Sequence, residues 1–128
     1  MILVDTDVMI DLLRQYAPAL QWLDSLGDAE IILPGFVVME LIQGCKSKAE
    51  QEKVESNLEA YSITWPTSEI CDQSLQVFAD HHLSHGLGII DALIGQMAVA
   101  MGLELLTFNQ KHYTAISKLK MRQPYDRK

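Results

Sequence analysis

The sequence has almost no cysteine, and this argues against two classes of protein. Its 128 residues include only Cys45 and Cys71, whose separation matches neither a metal-binding nor a redox motif. A disulfide-stabilised secreted domain and a cysteine-ligated zinc protein are therefore not expected. We expect a reduced, intracellular protein in which both cysteines pack as small apolar side chains.

Long apolar runs and targeting segments are also absent. Asp5 and Asp7 interrupt the first residues before the apolar core of a signal peptide could form. The apolar stretches 31–38 and 89–102 are broken or flanked by polar residues and are too short to span a bilayer. There is no internal repeat, low-complexity segment or linker. We expect one cytoplasmic domain over residues 1–128 that makes no membrane contact.

Basic residues are scarce and unevenly distributed. The net charge is −7, but residues 111–128 carry six basic groups and one acid, whereas residues 1–110 carry four basic groups and sixteen acids. A basic segment on an acidic body suits an enzyme that holds phosphate at one edge and metal cations at its centre. A solubilising segment on an acidic protein explains the same distribution equally well.

Short apolar strands alternate with helical patterns along the chain. Strands are predicted over 2–4, 30–33, 62–65, 104–107 and 118–121, and helices over 7–14, 18–26, 34–44, 47–60, 67–84 and 89–101. This alternation predicts an α/β fold, a three-layer α/β/α sandwich with a central, mainly parallel sheet of four to five strands. In such sheets, ligands bind beyond the carboxyl ends of the strands.

Four carboxylates occupy positions that need an explanation. Asp5 directly follows the first predicted strand, Asp7 lies two residues on, Glu40 is the only charge on its predicted helix, and Asp91 heads a nearly apolar helix. Taken singly, each could cap a helix, bond within a turn or face solvent. Two carboxylates about 4 Å apart repel by roughly 4 kcal/mol at an effective dielectric of 20. A chain that gathers several must protonate some or bind a cation.

Oxygen-only ligands favour Mg²⁺ or Mn²⁺ over zinc. These ions suit hydrolysis of phosphodiesters, because they activate water and neutralise charge that develops on the phosphate. If the four carboxylates meet, the sequence therefore points to a metal-dependent phosphodiesterase.

Four segments, taken in order, resemble the motifs of PIN-domain nucleases, particularly the VapC-type toxins of bacterial toxin–antitoxin pairs. They read ILVDTDVMID from residue 2, VVMEL from residue 37, HGLGIIDALI from residue 85 and LLTFNQKHY from residue 105. The resemblance covers nearly the whole chain. It implies a PIN-like endoribonuclease that hydrolyses RNA with metal-activated water, leaving a 5′-phosphate and a 3′-hydroxyl. It also implies a homodimer that a small antitoxin protein inhibits by covering the acidic site.

The resemblance assigns roles to particular residues. It implies that Asp5, Glu40 and Asp91 are the catalytic, metal-binding acids, that Asp7 adds a direct or water-mediated contact, and that Mg²⁺ or Mn²⁺ is the cofactor. The residues implied to orient water or ligands from behind the acids are Thr6, Thr107 and Asn109.

His112 departs from the family pattern, in which an acid often stands three residues after the asparagine. A neutral imidazole removes one negative charge, so binding of a second metal ion stays open. Ligation of a metal, contact with phosphate and simple packing are all compatible with a histidine here, and we favour the last two.

Two other functions fit part of the pattern. Asp5-Thr6-Asp7 also resembles the opening of haloacid-dehalogenase phosphohydrolases, where Asp5 would be the nucleophile, although Met9 stands where that motif has Thr or Val. The chain also lacks that family's later lysine and paired acids. The second alternative is a non-catalytic RNA-binding module in which His112 marks a decayed site.

Two smaller features carry simpler interpretations. The cluster of His81, His82 and His85 lacks a cysteine or acid that would complete a zinc site. Asp11 and Arg14 are predicted to form an exposed i, i+3 pair on the first helix, and the alternative, in which Arg14 faces the substrate, stays open.

Overall fold

Five short parallel strands form the centre of the structure, a computed structural model in which residues 1–127 are described. The strands are β1 Ile2–Val4, β2 Ile31–Pro34, β3 Ser62–Thr64, β4 Glu104–Leu106 and β5 Met121–Arg122. The helices are α1 Thr6–Leu13, α2 Ala17–Ser25, α3 Gly35–Gln43, α4 Lys48–Leu58, α5 Ser68–His85, α6 Ile89–Met101 and α7 Gln110–Tyr113.

The strand order β3-β2-β1-β4-β5 places β1 at the middle of the sheet. From β1 the chain moves outward to β2 and β3, then returns to β4 on the other side of β1. Parallel crossovers are almost always right-handed, so this reversal distributes the helices over both faces. Consistently, α1 contacts α2 and α3, α3 contacts α4, and α6 contacts α5 and α7. The predicted α/β fold with a parallel, doubly covered sheet is confirmed.

Burial explains why β1 and the inner part of β4 are apolar. Leu3 and Val4 of β1 and Leu105 and Leu106 of β4 are completely buried. A strand covered on both faces has no polar side, so its sequence reads as a continuous apolar run rather than as an alternation. The reversal of strand order lies between β1 and β4, and ligands of such sheets bind beyond the carboxyl ends of the strands at this point.

Several helix ends follow the sequence signals. The Ser47 hydroxyl accepts from the Glu50 backbone N–H at 3.1 Å, and the Thr67 hydroxyl accepts from that of Ile70 at 3.2 Å. Gly86 and Gly102 end α5 and α6 in the left-handed conformation, with φ of 64° and 66°. These glycines allow the chain to leave each helix without a steric penalty.

Three local predictions were wrong. The last strand is β5 rather than 118–121, because Lys118 has a φ of 65° and cannot extend a strand. The four-residue α7 was not predicted, since one helical turn has no readable period. Asp11 does not pair with Arg14: its Oδ2 accepts from the Tyr125 hydroxyl at 2.7 Å and from Arg127 Nε at 3.1 Å.

Within residues 1–127, none of the helices combines the length and the apolar composition that crossing a membrane requires.

Candidate active site

Asp5 directly follows β1 and is almost fully buried, with 6% of its surface exposed. Its Oδ1 accepts from the Thr6 backbone N–H at 2.8 Å. Its Oδ2 accepts from two hydroxyls, those of Thr107 at 2.8 Å and Tyr113 at 2.9 Å. Thr107 directly follows β4, so the two central strands deliver both residues to one place.

Asp7 stands in the first turn of α1 and ties this helix to the loop after β4. Its Oδ1 accepts from the Val8 backbone N–H at 2.7 Å, and its Oδ2 accepts from the Phe108 backbone N–H at 2.9 Å. The Thr107 hydroxyl makes an additional, longer contact of 3.5 Å with the same Oδ2. Thr107 therefore stands between the carboxylates of Asp5 and Asp7.

Thr6 connects Asp5 to the third acid. Its backbone N–H donates to Asp5, and its hydroxyl donates to Glu40 Oε1 at 2.8 Å. Glu40 is exposed on α3, the helix that begins directly after β2. One residue thus bridges a buried and an exposed carboxylate.

Asp91 approaches from the first turn of α6. Its Oδ2 accepts from the Gly88 backbone N–H at 3.2 Å and caps the helix, as its position predicts. The Nδ1 of His112 lies 3.8 Å from the same oxygen. The His112 side chain is 56% exposed, so it borders the site rather than packing in the core.

The electrostatics show that Asp5 interacts with Asp7 and with Asp91. Burial raises the pKa of Asp5, and the negative charge of Asp91 adds to the rise against the hydrogen bonds that oppose it. Burial and the charge of Asp5 raise the pKa of Asp7 to about 6. Among residues 1–127, no lysine or arginine forms an ion pair with any of these acids. We call Asp5, Asp7, Glu40 and Asp91 the carboxylate cluster.

A sequence model described as the PIN domain matches residues 2–118. The chain belongs to the PIN-domain family. It is 32% identical over 122 residues to Ribonuclease VapC10 of Mycobacterium tuberculosis, an alignment that covers 94% of this chain and 91% of the relative. The family identification from the four sequence segments is confirmed, and the haloacid-dehalogenase alternative is not favoured.

Solved structures of two other proteins share the fold over nearly the whole chain. A toxin–antitoxin complex from Klebsiella pneumoniae matches with a TM-score of 0.79 and 25% identity, covering 98% of this chain and 99% of the other. VapBC2 from Rickettsia felis, bound to a DNA fragment from its promoter, matches with a TM-score of 0.80 and 21% identity over 96% and 98% of the two chains.

Sequence reasoning missed Tyr113. Its side chain is completely buried on α7, and its hydroxyl is one of two that hold Asp5 Oδ2. Burial and the charge of Asp5 raise the pKa of this tyrosine, so it stays protonated and remains a donor. A buried tyrosine resembles any core residue in a sequence, and the only available signal was its place at the end of the fourth PIN-like segment.

The other predicted residues take different positions. Asn109 is exposed, and its backbone N–H donates to the Thr107 hydroxyl at 3.0 Å. The histidines of α5 do not converge with acids, because His82 stacks on Phe78 and the His81 ring meets that of His85 edge-on.

The carboxylate cluster suits a hard divalent cation by its chemistry. Within residues 1–127, no three His, Cys, Asp or Glu side chains stand in a geometry that could hold a metal ion. Each carboxylate of the cluster instead accepts from hydroxyl or backbone N–H groups of the chain. These donors are neutral, so the negative charge is not cancelled. All the available ligands are oxygens, the donors that Mg²⁺ and Mn²⁺ prefer.

Proposed function

We propose that this chain is a metal-dependent endoribonuclease and the toxin of a toxin–antitoxin pair. The observation that supports the proposal is the electrostatic coupling of Asp5 with Asp7 and Asp91 where the strand order reverses, with Thr6 linking Asp5 to Glu40 and no lysine or arginine ion-paired to these acids among residues 1–127. PIN proteins are generally nucleases that depend on divalent metals, and the curated relative is named a ribonuclease.

Mg²⁺ or Mn²⁺ is the proposed cofactor, held by Asp5, Glu40 and Asp91 with a direct or water-mediated contact from Asp7. When bound, such an ion would supply activation of water and neutralisation of charge at the scissile phosphate. The Thr107 and Tyr113 hydroxyls fix the orientation of the Asp5 carboxylate.

Three residues are proposed to act around the cluster. Thr6 sets the separation of Asp5 from Glu40 through its two hydrogen bonds. Exposed His112 beside Asp91 is proposed to contact phosphate. Asn109, at the exposed end of the loop after β4, is proposed to orient water.

The proposed partners are an RNA substrate, a cognate antitoxin and a second copy of this chain in a cytoplasmic homodimer, with residues 1–128 acting as one nuclease domain. The antitoxin is supported by the solved structures that share the fold, which include toxin–antitoxin complexes. Residues 1–110 carry four basic groups and sixteen acids, a charge that suits a basic inhibitor placed over the cluster.

Cleavage of RNA by matched variants tests the activity. We expect the purified wild type to cleave RNA in Mg²⁺ or Mn²⁺, EDTA to abolish cleavage, and Asp5→Asn to lower the rate by at least about 100-fold. Asp72→Asn, the same change at an exposed position of α5, should cleave like the wild type. Ligation-based sequencing of the products should find 5′-phosphate ends.

Two outcomes would overturn the proposal. If the wild type cleaves no RNA with either ion, the chain is not a nuclease and the non-catalytic RNA-binding alternative gains support. If a phosphate becomes covalently attached to Asp5 during turnover, the reaction is that of an aspartate-nucleophile phosphohydrolase.

A further inference from the structure

A cleft of about 310 Å³ lies beside the carboxylate cluster, between α1, α3 and α4. Glu40 lines the cleft and also accepts from Thr6, so the cleft and the cluster share a wall. Apolar side chains from the three helices form much of the rest of the lining, including Ile10, Leu41 and Val54.

Two cations line this cleft, Arg14 at the end of α1 and Lys53 on α4. Both are exposed, and within residues 1–127 neither forms an ion pair. Residues 1–110 contain only four basic groups, so half of them lie in one place. On a surface rich in acids, cations are expected to form ion pairs. Because neither of these two does so, we infer that they favour an anionic ligand.

Among residues 1–127, the acids of the cleft form no ion pair with these cations. Glu50 turns its carboxylate to the Lys46 backbone N–H, which donates to Oε2 at 3.2 Å before the start of α4. Glu40 is engaged with Thr6 and belongs to the carboxylate cluster. The Arg14 guanidinium and the Lys53 ammonium are therefore not held in an ion pair within the described part of the chain, and a phosphate can pair with them.

We propose that Arg14 and Lys53 bind backbone phosphates of single-stranded RNA next to the phosphate that is cleaved. This inference rests on the proposed ribonuclease function and adds a path for the substrate. The volume is at the lower end of the range for ligand pockets, about 300–1,000 Å³, which suits a ligand of the size of one nucleotide. An apolar lining beside two cations suits an unpaired base attached to its phosphates.

An acidic protein segment is the other ligand that could pair with both cations. RNA is favoured because the cleft adjoins the cluster. A phosphate held at the cluster has neighbouring phosphates along the strand, and the cleft that shares Glu40 with the cluster offers two cations to them.

Binding measured without cleavage tests the proposal. The parent is Asp5→Asn, and the probe is a fluorescein-labelled single-stranded RNA of twelve nucleotides, followed by anisotropy over a series of salt concentrations. Adding Arg14→Gln and Lys53→Gln should raise Kd about tenfold and reduce the slope of log K against log salt by about 1.4, since each phosphate contact on a single strand contributes about 0.7.

Lys46→Gln with Lys48→Gln is the matched control, because both lysines are exposed near the start of α4 and neither lines the cleft. This control should bind more tightly than the cleft variant and retain a steeper salt dependence. In the Asp5→Asn parent, Arg14→Lys should keep most of the affinity for RNA that Arg14→Gln loses, because the lysine still brings a positive charge to the phosphate. Melting temperatures verify that every variant is folded.

The outcomes separate the subsite from the nuclease activity. If cleft and control variants weaken binding equally, or if neither does, the subsite is wrong even though the wild type cleaves RNA. If the cleft variant loses affinity for an Asp/Glu-rich peptide but keeps its affinity for RNA, the ligand is a protein and the proposal is wrong. Cleft-dependent RNA binding by a wild type that never cleaves RNA would support the subsite and overturn the nuclease.

Discussion

At the scale of single residues, Asp5 is held by contacts that no local pattern contains. Its partners Thr107 and Tyr113 are 102 and 108 residues away in the sequence. A carboxylate buried to this extent is costly unless hydroxyl or amide donors surround it. The buried hydroxyls therefore keep Asp5 both ionisable and correctly oriented.

Removing one of these hydroxyls should impair the site without unfolding the protein. In Tyr113→Phe, Asp5 Oδ2 loses one of its two hydroxyl donors while the aromatic ring keeps its place in the core. We expect kcat for RNA cleavage to fall about 10–100-fold, with a smaller change in KM, because the carboxylate proposed to bind the metal loses its orientation. Metal titration of both proteins should show weaker binding by the variant.

Tyr61→Phe provides the matched control, because Tyr61 is half-buried in the turn before β3 and outside the cluster. It should cleave RNA like the wild type. Equal kcat in Tyr113→Phe and Tyr61→Phe would show that the Tyr113 hydroxyl does not position Asp5.

At the scale of elements, the sequence predicted those with strong local signals. β1 and α6 have the bounds that were expected, because β1 is an apolar run ended by Asp5 and α6 is an apolar helix between Gly88 and Gly102. The short elements α7 and β5 were missed or displaced. Their positions depend on packing against α6 and pairing with β4, which a single sequence does not display.

The residues of the site were also predictable only where a local sequence signal marked them. Asp5, Asp7 and Asp91 were predictable because charges at the ends of apolar elements are conspicuous. Tyr113 was not, because a buried tyrosine on a helix of one turn looks like core. The left-handed Lys118, which delays β5, is equally hidden, since lysine carries no signal for positive φ.

α6 packs closely on the segment that carries Tyr113, and this packing predicts the effect of a substitution at Gly95. A Cβ added to Gly95 would collide with the Ile116 side chain and press on the Tyr113 ring. We expect Gly95→Ala to destabilise the protein by about 1–2 kcal/mol, because overpacking outweighs the gain in helix propensity. Kcat should fall as well, since the displaced ring carries the hydroxyl that holds Asp5.

Gly44→Ala separates overpacking from the general effect of the substitution. Gly44 ends α3 with a φ of −74°, and an added Cβ would find only ordinary contacts with backbone oxygens. Denaturant unfolding should place this variant within about 0.5 kcal/mol of the wild type. If Gly95→Ala is as stable and as active as Gly44→Ala, the packing argument is wrong.

At the scale of the whole molecule, the basic segment after residue 110 folds back onto the acidic body. Arg122 pairs with Glu104 at 3.1 Å, and Arg127 pairs with Asp11 at 3.1 Å. Arg127 also donates to the Asp7 backbone carbonyl at 3.2 Å and lies 3.9 Å above the Phe108 ring. The segment therefore braces α1 and the loop after β4, the two elements that carry Asp7 and Thr107.

The protein carries a net charge of −7, and the carboxylates of the cluster are not paired with lysine or arginine among residues 1–127. Their repulsion should make the stability of the metal-free protein depend on pH. The Asp7 pKa is raised from 3.8 to about 6, by burial and by Asp5, while Arg127 partly opposes the rise. The folded state then binds more protons than the unfolded state between these pKa values. Ionisation of Asp7 consequently lowers stability progressively as pH rises through this window.

In EDTA we therefore expect the wild type to be less stable at pH 7 than at pH 5, by about 1–2 kcal/mol or about 3–6 °C in Tm. Asp7→Asn should flatten the dependence, whereas the exposed Asp72→Asn variant should keep it. Saturating Mg²⁺ at pH 7 should restore the lost stability, because binding to the folded state alone adds about 2.7 kcal/mol at 100 times Kd. A metal-free wild type that is more stable at pH 7 than at pH 5 would mean that the cluster is already neutralised within the protein, and a cation would then have no excess charge to offset.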